Sequence, residues 1–271
     1  MIIYYYIALF FLFGLIVGSF LSVVVSRLET GEGFLLGRSK CPGCKKAIKS
    51  YDLVPLLSFV MLKGRCRHCE KKISLFYPLI ELSTAVLFAL LFWRFGGAFV
   101  DTNLYIFLGL HLVILASLIV IFFYDWFYLI IPDKVLVPVS LVVLAFAVLN
   151  VLFSRQMGFD FFAYPPQPWD LIWGLLIGGG LFFILVSLSH EKWMGWGDVK
   201  LGAFLGIFLG YPLILVALFF AFILGSIFSV ALILLKKKKM KDIIPFGPFL
   251  VLGGIIALFV GKFIINWYLG M

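Results

Sequence analysis

Apolar stretches of about 20 residues recur along this chain with short polar breaks between them, and that spacing constrains the fold more than any other feature. A helix needs about 20 residues to cross the hydrocarbon layer, and in lipid only helices or closed barrels satisfy their own backbone hydrogen bonds. Residues 4–25, 79–99, 104–124, 135–153, 171–189 and 249–268 each read as one span. Residues 199–235 are too long for a single helix, and Gly210-Tyr211-Pro212 divides them into a short span and a longer one. The expected fold is an all-α polytopic membrane protein of about eight transmembrane helices. Composition agrees: 64% of the residues are hydrophobic and only 13% charged, where a soluble domain carries about a quarter. The first apolar stretch, residues 2–25, is too long for a signal-peptide core and reads as a retained anchor.

The net charge of +9 invites a nucleic-acid reading, but sixteen of the twenty-two Lys and Arg residues fall in two patches beside spans. Eleven lie between residues 27 and 72, and five in Lys236-Lys237-Lys238-Lys239 with Lys241. Basic loops flanking spans mark the cytoplasmic side and meet anionic headgroups. No nucleic-acid partner is expected; the lipid bilayer is. With residues 27–77 inside the cell, alternation puts both patches and the loops after Tyr124 and after Ser189 on the cytoplasmic side.

The one sizeable polar segment carries all four cysteines, as Cys41-Pro-Gly-Cys44 and Cys66-Arg-His-Cys69 with 21 residues between the pairs. Two such knuckles suit a tetrahedral zinc ion, since each turn supplies two thiolates. Two disulfides are the alternative, disfavoured by a cytosolic location. A zinc ion held by four cysteines is filled by protein and hence structural; His68 could stand in for a ligand or project outward. A segment this short lacks a core of its own, which a metal can replace.

Chemistry therefore has to be sought among ionisable residues near the spans, which are costly there and tend to be functional. Glu29, Glu32, Asp52, Glu70 and Asp242 sit in basic loops, and Asp101, Asp160 and Asp170 in loops on the other side. Glu81, Asp125, Asp133, Glu191 and Asp198 remain. Asp125 follows an apolar run and precedes another, and Asp198 closes Gly195-Trp196-Gly197-Asp198 just before a span. Gly195 and Gly197 permit a tight turn and close backbone approach. Two carboxylates in a poorly solvated site share one proton, which makes an acid–base pair able to hydrolyse a peptide. The alternative is an Asp198 helix cap with a salt bridge from Asp125 to Lys134 or Lys200. Lys200 either tunes Asp198 or reaches toward the interface; Asp133 after Pro132 reads as a helix start. Isolated carboxylates also occur in transporters, and a zinc module could serve a signalling scaffold.

An ordered set of motifs narrows these options. Gly18-Ser19-Phe20-Leu21, Arg38-Ser39-Lys40-Cys41-Pro42, Pro55-Leu56-Leu57-Ser58, Gly64-Arg65-Cys66-Arg67 and Tyr77-Pro78-Leu79-Ile80-Glu81 occupy the first part of the chain. Asp125 with Ile131-Pro132-Asp133, Gly195-Trp196-Gly197-Asp198-Val199-Lys200 and Pro245-Phe246-Gly247-Pro248-Phe249 follow. In this set the chain resembles the bacterial prepilin peptidases, or type IV leader peptidases, along nearly its whole length.

That resemblance implies a GxGD-type aspartyl protease with Asp125 and Asp198 as catalytic residues and Gly195, Gly197 and Lys200 in support. It implies prepilin and pseudopilin substrates, cut on the cytoplasmic side of the bacterial inner membrane. Members with the four-cysteine insert typically go on to methylate the new amino terminus with S-adenosylmethionine, for which Glu81 is the candidate contact; a helix-end ion pair with Arg27 or Lys72 is the alternative. Three parts are expected: a first helix (1–26), a zinc-binding, methyltransferase-associated module (27–78) and a peptidase domain (79–271). Pro245-Phe246-Gly247-Pro248, irregular backbone at a membrane edge, is expected beside the active site. Ser22 stands where the family usually has asparagine, and Asp52-Leu53-Val54-Pro55 replaces a commoner Asp-Asn-Ile-Pro.

Overall fold

The computed structural model describes residues 2–30, 33, 39–96, 102–157, 168–239 and 242–270. Arg38, Glu32, Asp101, Asp160 and Lys241 lie outside the described residues, as does most of the stretch 154–169 between two of the expected spans. The described chain is helical: α1 (Ile2–Thr30), α2 (Leu57–Met61), α3 (Phe76–Phe95), α4 (Thr102–Tyr128), α5 (Asp133–Met157), α6 (Pro168–Ser189), α7 (Trp196–Leu209), α8 (Leu213–Leu234) and α9 (Gly247–Leu269), with one 3-10 turn at Ser50–Leu53. Among the described residues the only β pairing is two isolated bridges, Lys40 with Ala47 and Arg65 with Lys72.

Seven of these helices are long and apolar enough to cross a membrane. The chain is thus a multi-pass membrane protein. The expected eighth span is α7, which at 14 residues reaches only about 21 Å against a hydrocarbon thickness of about 30 Å. It still carries the chain back to the side on which α6 begins, because the Tyr211 N–H just beyond it donates to the Asp170 carbonyl (3.0 Å). Asp170 itself is not in a loop but in the first turn of α6.

The chain forms two compact units. The first comprises residues 1–104 and 108–120, the second residues 105–107 and 121–271. In the first, α1 and α3 run antiparallel. Gly14 lies against Ala85 and Gly18 against Glu81, so closely that a Cβ on either would fall within 2.7 Å of the facing Cα. Small residues four apart let two helix backbones touch where lipid offers no hydrophobic drive to associate. Phe10 stacks on Phe92 at 4.7 Å and fixes the far end of the pair.

Between α1 and α3 the two cysteine knuckles repeat one backbone pattern at an offset of 25 residues. Cys41 N–H donates to Lys46 C=O and Ile48 N–H to Ser39 C=O; Cys66 N–H donates to Lys71 C=O and Ile73 N–H to Gly64 C=O, all at 2.7–3.0 Å. The residue closing each turn, Lys45 or Glu70, has φ of +56°. The intervening chain forms the 3-10 turn and α2.

In the second unit α7 is enclosed by α5, α6, α8 and α9. Gly174 faces Gly206 and Gly178 faces Gly202 with no room for a Cβ on any of the four, so α6 and α7 pack backbone to backbone. α8 and α9 meet in the same way at Gly253 against Ala217 and Ala221. This register sets Asp198 level with Phe182, seven residues before α6 ends at Ser189 and so about 10 Å inside that end.

Candidate functional site

Asp125 occupies the last turn of α4 rather than a loop, and is 5% exposed. Its helix stops four residues on, where Leu129 takes a φ of +58° that glycine would normally supply. Aromatic rings hold this end of α4: Trp126 meets Phe228 of α8 at 5.4 Å, and Phe228 meets Phe249 of α9 at 5.4 Å. The Asp125 carboxylate accepts a hydrogen bond from the backbone N–H of Gly247, the first residue of α9. A Cβ at Gly247 would collide with the carboxylate itself.

Asp198 lies in the first turn of α7, where its carboxylate accepts the Gly195 N–H (3.3 Å). This is an ordinary capping arrangement, and the helix dipole favours an anion there. Ile131 fills the space between the two acids. Its side chain would touch a Cβ placed on Gly197 (3.2 Å) and one placed on Gly247 (3.3 Å). Around that isoleucine the two carboxylates come close enough for the charge on Asp198 to act on Asp125. Residues 73 apart in sequence, both acidic, one buried and the other half-buried, thus share one electrostatic site at the same end of the second unit.

Lys200 is turned away from this site. It pairs with Asp133 at 2.7 Å, both side chains about half exposed, and Asp133 is the first residue of α5. The salt bridge from Asp125 to Lys134 or Lys200, weighed above, is therefore not formed. Glu191 accepts the Trp196 indole N–H (2.6 Å). A groove of about 400 Å³ opens beside Phe246, lined by Met194 and the rings of Phe222 and Phe249, with Ser226 and Ser229 on its α8 wall.

In the first unit the four cysteines are free thiols with sulfur atoms all within 4.8 Å of one another, Cys41 and Cys69 at 3.8 Å. Four thiolates about 2.3 Å from a tetrahedral metal stand about 3.8 Å apart, so the set fits a metal ion and is too open for disulfides. His68 is exposed and outside the cluster. The amides of His68 and Cys69 pull the Cys66 thiol down to about 6, so one thiolate is available at neutral pH. Against the pull of the Lys71 amide, desolvation and the neighbouring sulfurs push Cys69 up to about 11. Glu81, 8% exposed in α3, accepts the backbone N–H of Leu56 at 2.8 Å in place of an ion pair with Arg27 or Lys72.

The curated relatives decide the lineage. A Bacillus subtilis (strain 168) protein named "Prepilin leader peptidase/N-methyltransferase" is 31% identical over 98% of each chain. The chain belongs to the type IV leader peptidase family. Proteins of the same name from Aeromonas salmonicida and Legionella pneumophila are each 33% identical, covering 97% and 96% of this chain and 94% and 93% of their own. The Bacterial Peptidase A24 N-terminal domain matches residues 12–95, and the Type IV leader peptidase family itself matches 112–230. The first match holds the cysteine knuckles and Glu81; the second holds Asp125 and Asp198. No solved structure matches this leader peptidase. Missing from the motif reading were the Gly247 amide aimed at Asp125 and the Leu56 amide aimed at Glu81. The Gly-Pro pair at 247–248 hinted at the first; nothing in the sequence marks the second.

Proposed function

We propose that this leader peptidase is a membrane aspartyl endopeptidase that removes the leader from type IV prepilins and pseudopilins at the cytoplasmic face of the inner membrane. The observation that carries this reading is the meeting of Asp125 and Asp198 around Ile131, at one end of the second unit. Two poorly solvated carboxylates hold one proton between them. The ionised member takes a proton from water while the protonated member polarises the scissile carbonyl, and the two roles exchange as the leaving amine is protonated. The Gly247 and Gly195 amides each donate to one carboxylate and fix its rotamer. The groove beside Phe246 is of a size to receive one or two apolar side chains next to the cleaved bond.

Residues 27–78 make a zinc-binding module in which Cys41, Cys44, Cys66 and Cys69 leave no open coordination position, so the ion is structural. The relatives' double name supports a second activity, methylation of the new amino terminus. S-adenosylmethionine would supply an electrophilic methyl group for it. Glu81 is the residue we assign to that cofactor, and residues 79–271 carry the peptidase.

Substituting Asp125→Ala or Asp198→Ala is expected to lower prepilin cleavage at least about a thousandfold while membrane insertion persists. Cleavage assays with purified protein and mass spectrometry of the product check both activities. Normal processing by either alanine variant would refute the aspartyl mechanism, and cleaved but unmethylated product from the parent protein would refute the second activity alone.

A further inference from the structure

The chain between the two cysteine knuckles runs deeper than a loop outside the membrane would. Leu56 N–H donates to Glu81 Oε2 at 2.8 Å. Glu81 is in the second turn of the span that begins at Phe76, about 7 Å beyond its start. On the facing helix, Gly18 packs so closely on Glu81 that a Cβ would fall 2.7 Å from its Cα. Gly18 precedes Arg27, the first charge in α1, by about 13 Å of helix. Both helices thus place the Leu56 backbone level with their own apolar residues, inside the hydrocarbon rather than above it.

The local sequence suits that depth. Residues 53–62 carry no charge. Leu57, Val60 and Met61 share one face of α2 and are 63%, 71% and 79% exposed, with Leu53 and Val54 exposed just before them. Phe59 turns the other way, against Gly64, and the Ser58 hydroxyl donates to Val54 C=O at 2.7 Å, so its polarity is satisfied within the segment. Cations close the stretch at both ends. Lys49 and Arg67 stand over the ring of Tyr51 at 5.5 and 5.3 Å, while Lys63 and Arg65 follow α2 and are exposed. Aromatic rings and basic side chains flanking an apolar stretch mark a membrane–water boundary.

A soluble partner would have to enter the hydrocarbon to reach this face. A second copy of the chain, meeting it about a twofold axis, would bring the same flanking cations together. Lipid meets neither objection. Leu79 and Leu82, exposed on α3 to either side of Glu81 in sequence, belong to a span and face lipid at the same level. Anionic headgroups match the flanking cations.

We propose that residues 53–62 are immersed in the acyl chains of the leaflet on the knuckles' side, so that the four-cysteine module lies against the membrane instead of standing off it. The partner is the acyl layer beneath an anionic headgroup surface, and the docking face is Leu57, Val60 and Met61 with Leu53 and Val54 beside them.

The test uses the unaltered full chain in nanodiscs of phosphatidylcholine and phosphatidylglycerol, a fraction of whose acyl chains carry a diazirine near the middle. After photolysis the tryptic peptide 50–63 is expected to carry lipid adducts, as α3 does, and residues 64–72 none above background. A diazirine analogue of methionine placed at Met61 reads the same contact from the protein side. It is expected to yield acyl-chain adducts, whereas the same probe at Glu70, on the second knuckle, should yield water adducts only; zinc content is the folding control for both. A peptide 50–63 free of lipid while α3 is labelled, a water adduct at Met61, or a crosslink from Met61 to a second copy overturns the proposal.

Discussion

Asp125 and Asp198 are held by backbone amides, not by opposite charges, and in the proposed mechanism this leaves their net charge to one shared proton. Gly247 is the residue on which the arrangement turns, because its N–H reaches the Asp125 carboxylate and its missing side chain makes room for it. Gly247→Ala is expected to displace that carboxylate and cut prepilin cleavage by more than tenfold, with the amount of protein in the membrane unchanged; cleavage rate against membrane yield is the measurement. Lys200→Ala should by contrast alter thermal stability by no more than about 0.5 kcal/mol, since the bond to Asp133 is an exposed ion pair. The two acids were legible in the sequence because each interrupts or borders an apolar run that excludes charge. Their hydrogen-bond donors were not. A backbone N–H belongs to every residue but proline, and only the fold decides which of them points at a carboxylate. The same limit hid Leu56, whose left-handed φ has no glycine or asparagine to announce it.

At the level of elements, the break at Gly210-Tyr211-Pro212 and the polar segment between the first two helices could be read directly from composition. The depth of α7 could not. A 14-residue helix is too short to be recognised by length, and only the facing glycines of α6 and α7 show that it lies inside the bundle. Gly206→Val should therefore destabilise the second unit by about 1–3 kcal/mol, seen as a lower melting temperature and as slower cleavage. Gly180, which has open space where a Cβ would lie, should accept the same change with little loss and serves as the control. The repeated knuckles were legible as a metal-binding pattern, but their matching backbone turns were not, because the residues inside them differ: Pro-Gly in one and Arg-His in the other. Cys66→Ser is expected to abolish zinc binding, measured by elemental analysis of the purified protein, and to open residues 39–75 to limited proteolysis, as expected where a metal supplies the missing core.

On the scale of the whole molecule, the four-cysteine cluster and the paired aspartates belong to different compact units, each with its own buried helix contacts. Stripping the metal with a strong chelator should therefore lower S-adenosylmethionine binding sharply and leave prepilin cleavage within about threefold of its starting rate, a margin of under about 1 kcal/mol. Parallel loss of both would show that the knuckles support the peptidase as well. The division between a basic cysteine-rich segment and a set of spans was readable from charge and hydropathy; the way α4 contributes residues to both units was not, since nothing in its apolar run marks where one core ends.

Under the proposed function, the twin turns around the four sulfurs would bind one half of the protein's chemistry to the supply of an ion. In a cell short of zinc, such an enzyme would keep trimming its precursors but leave their fresh ends bare, so that nutrient status is written onto each exported subunit.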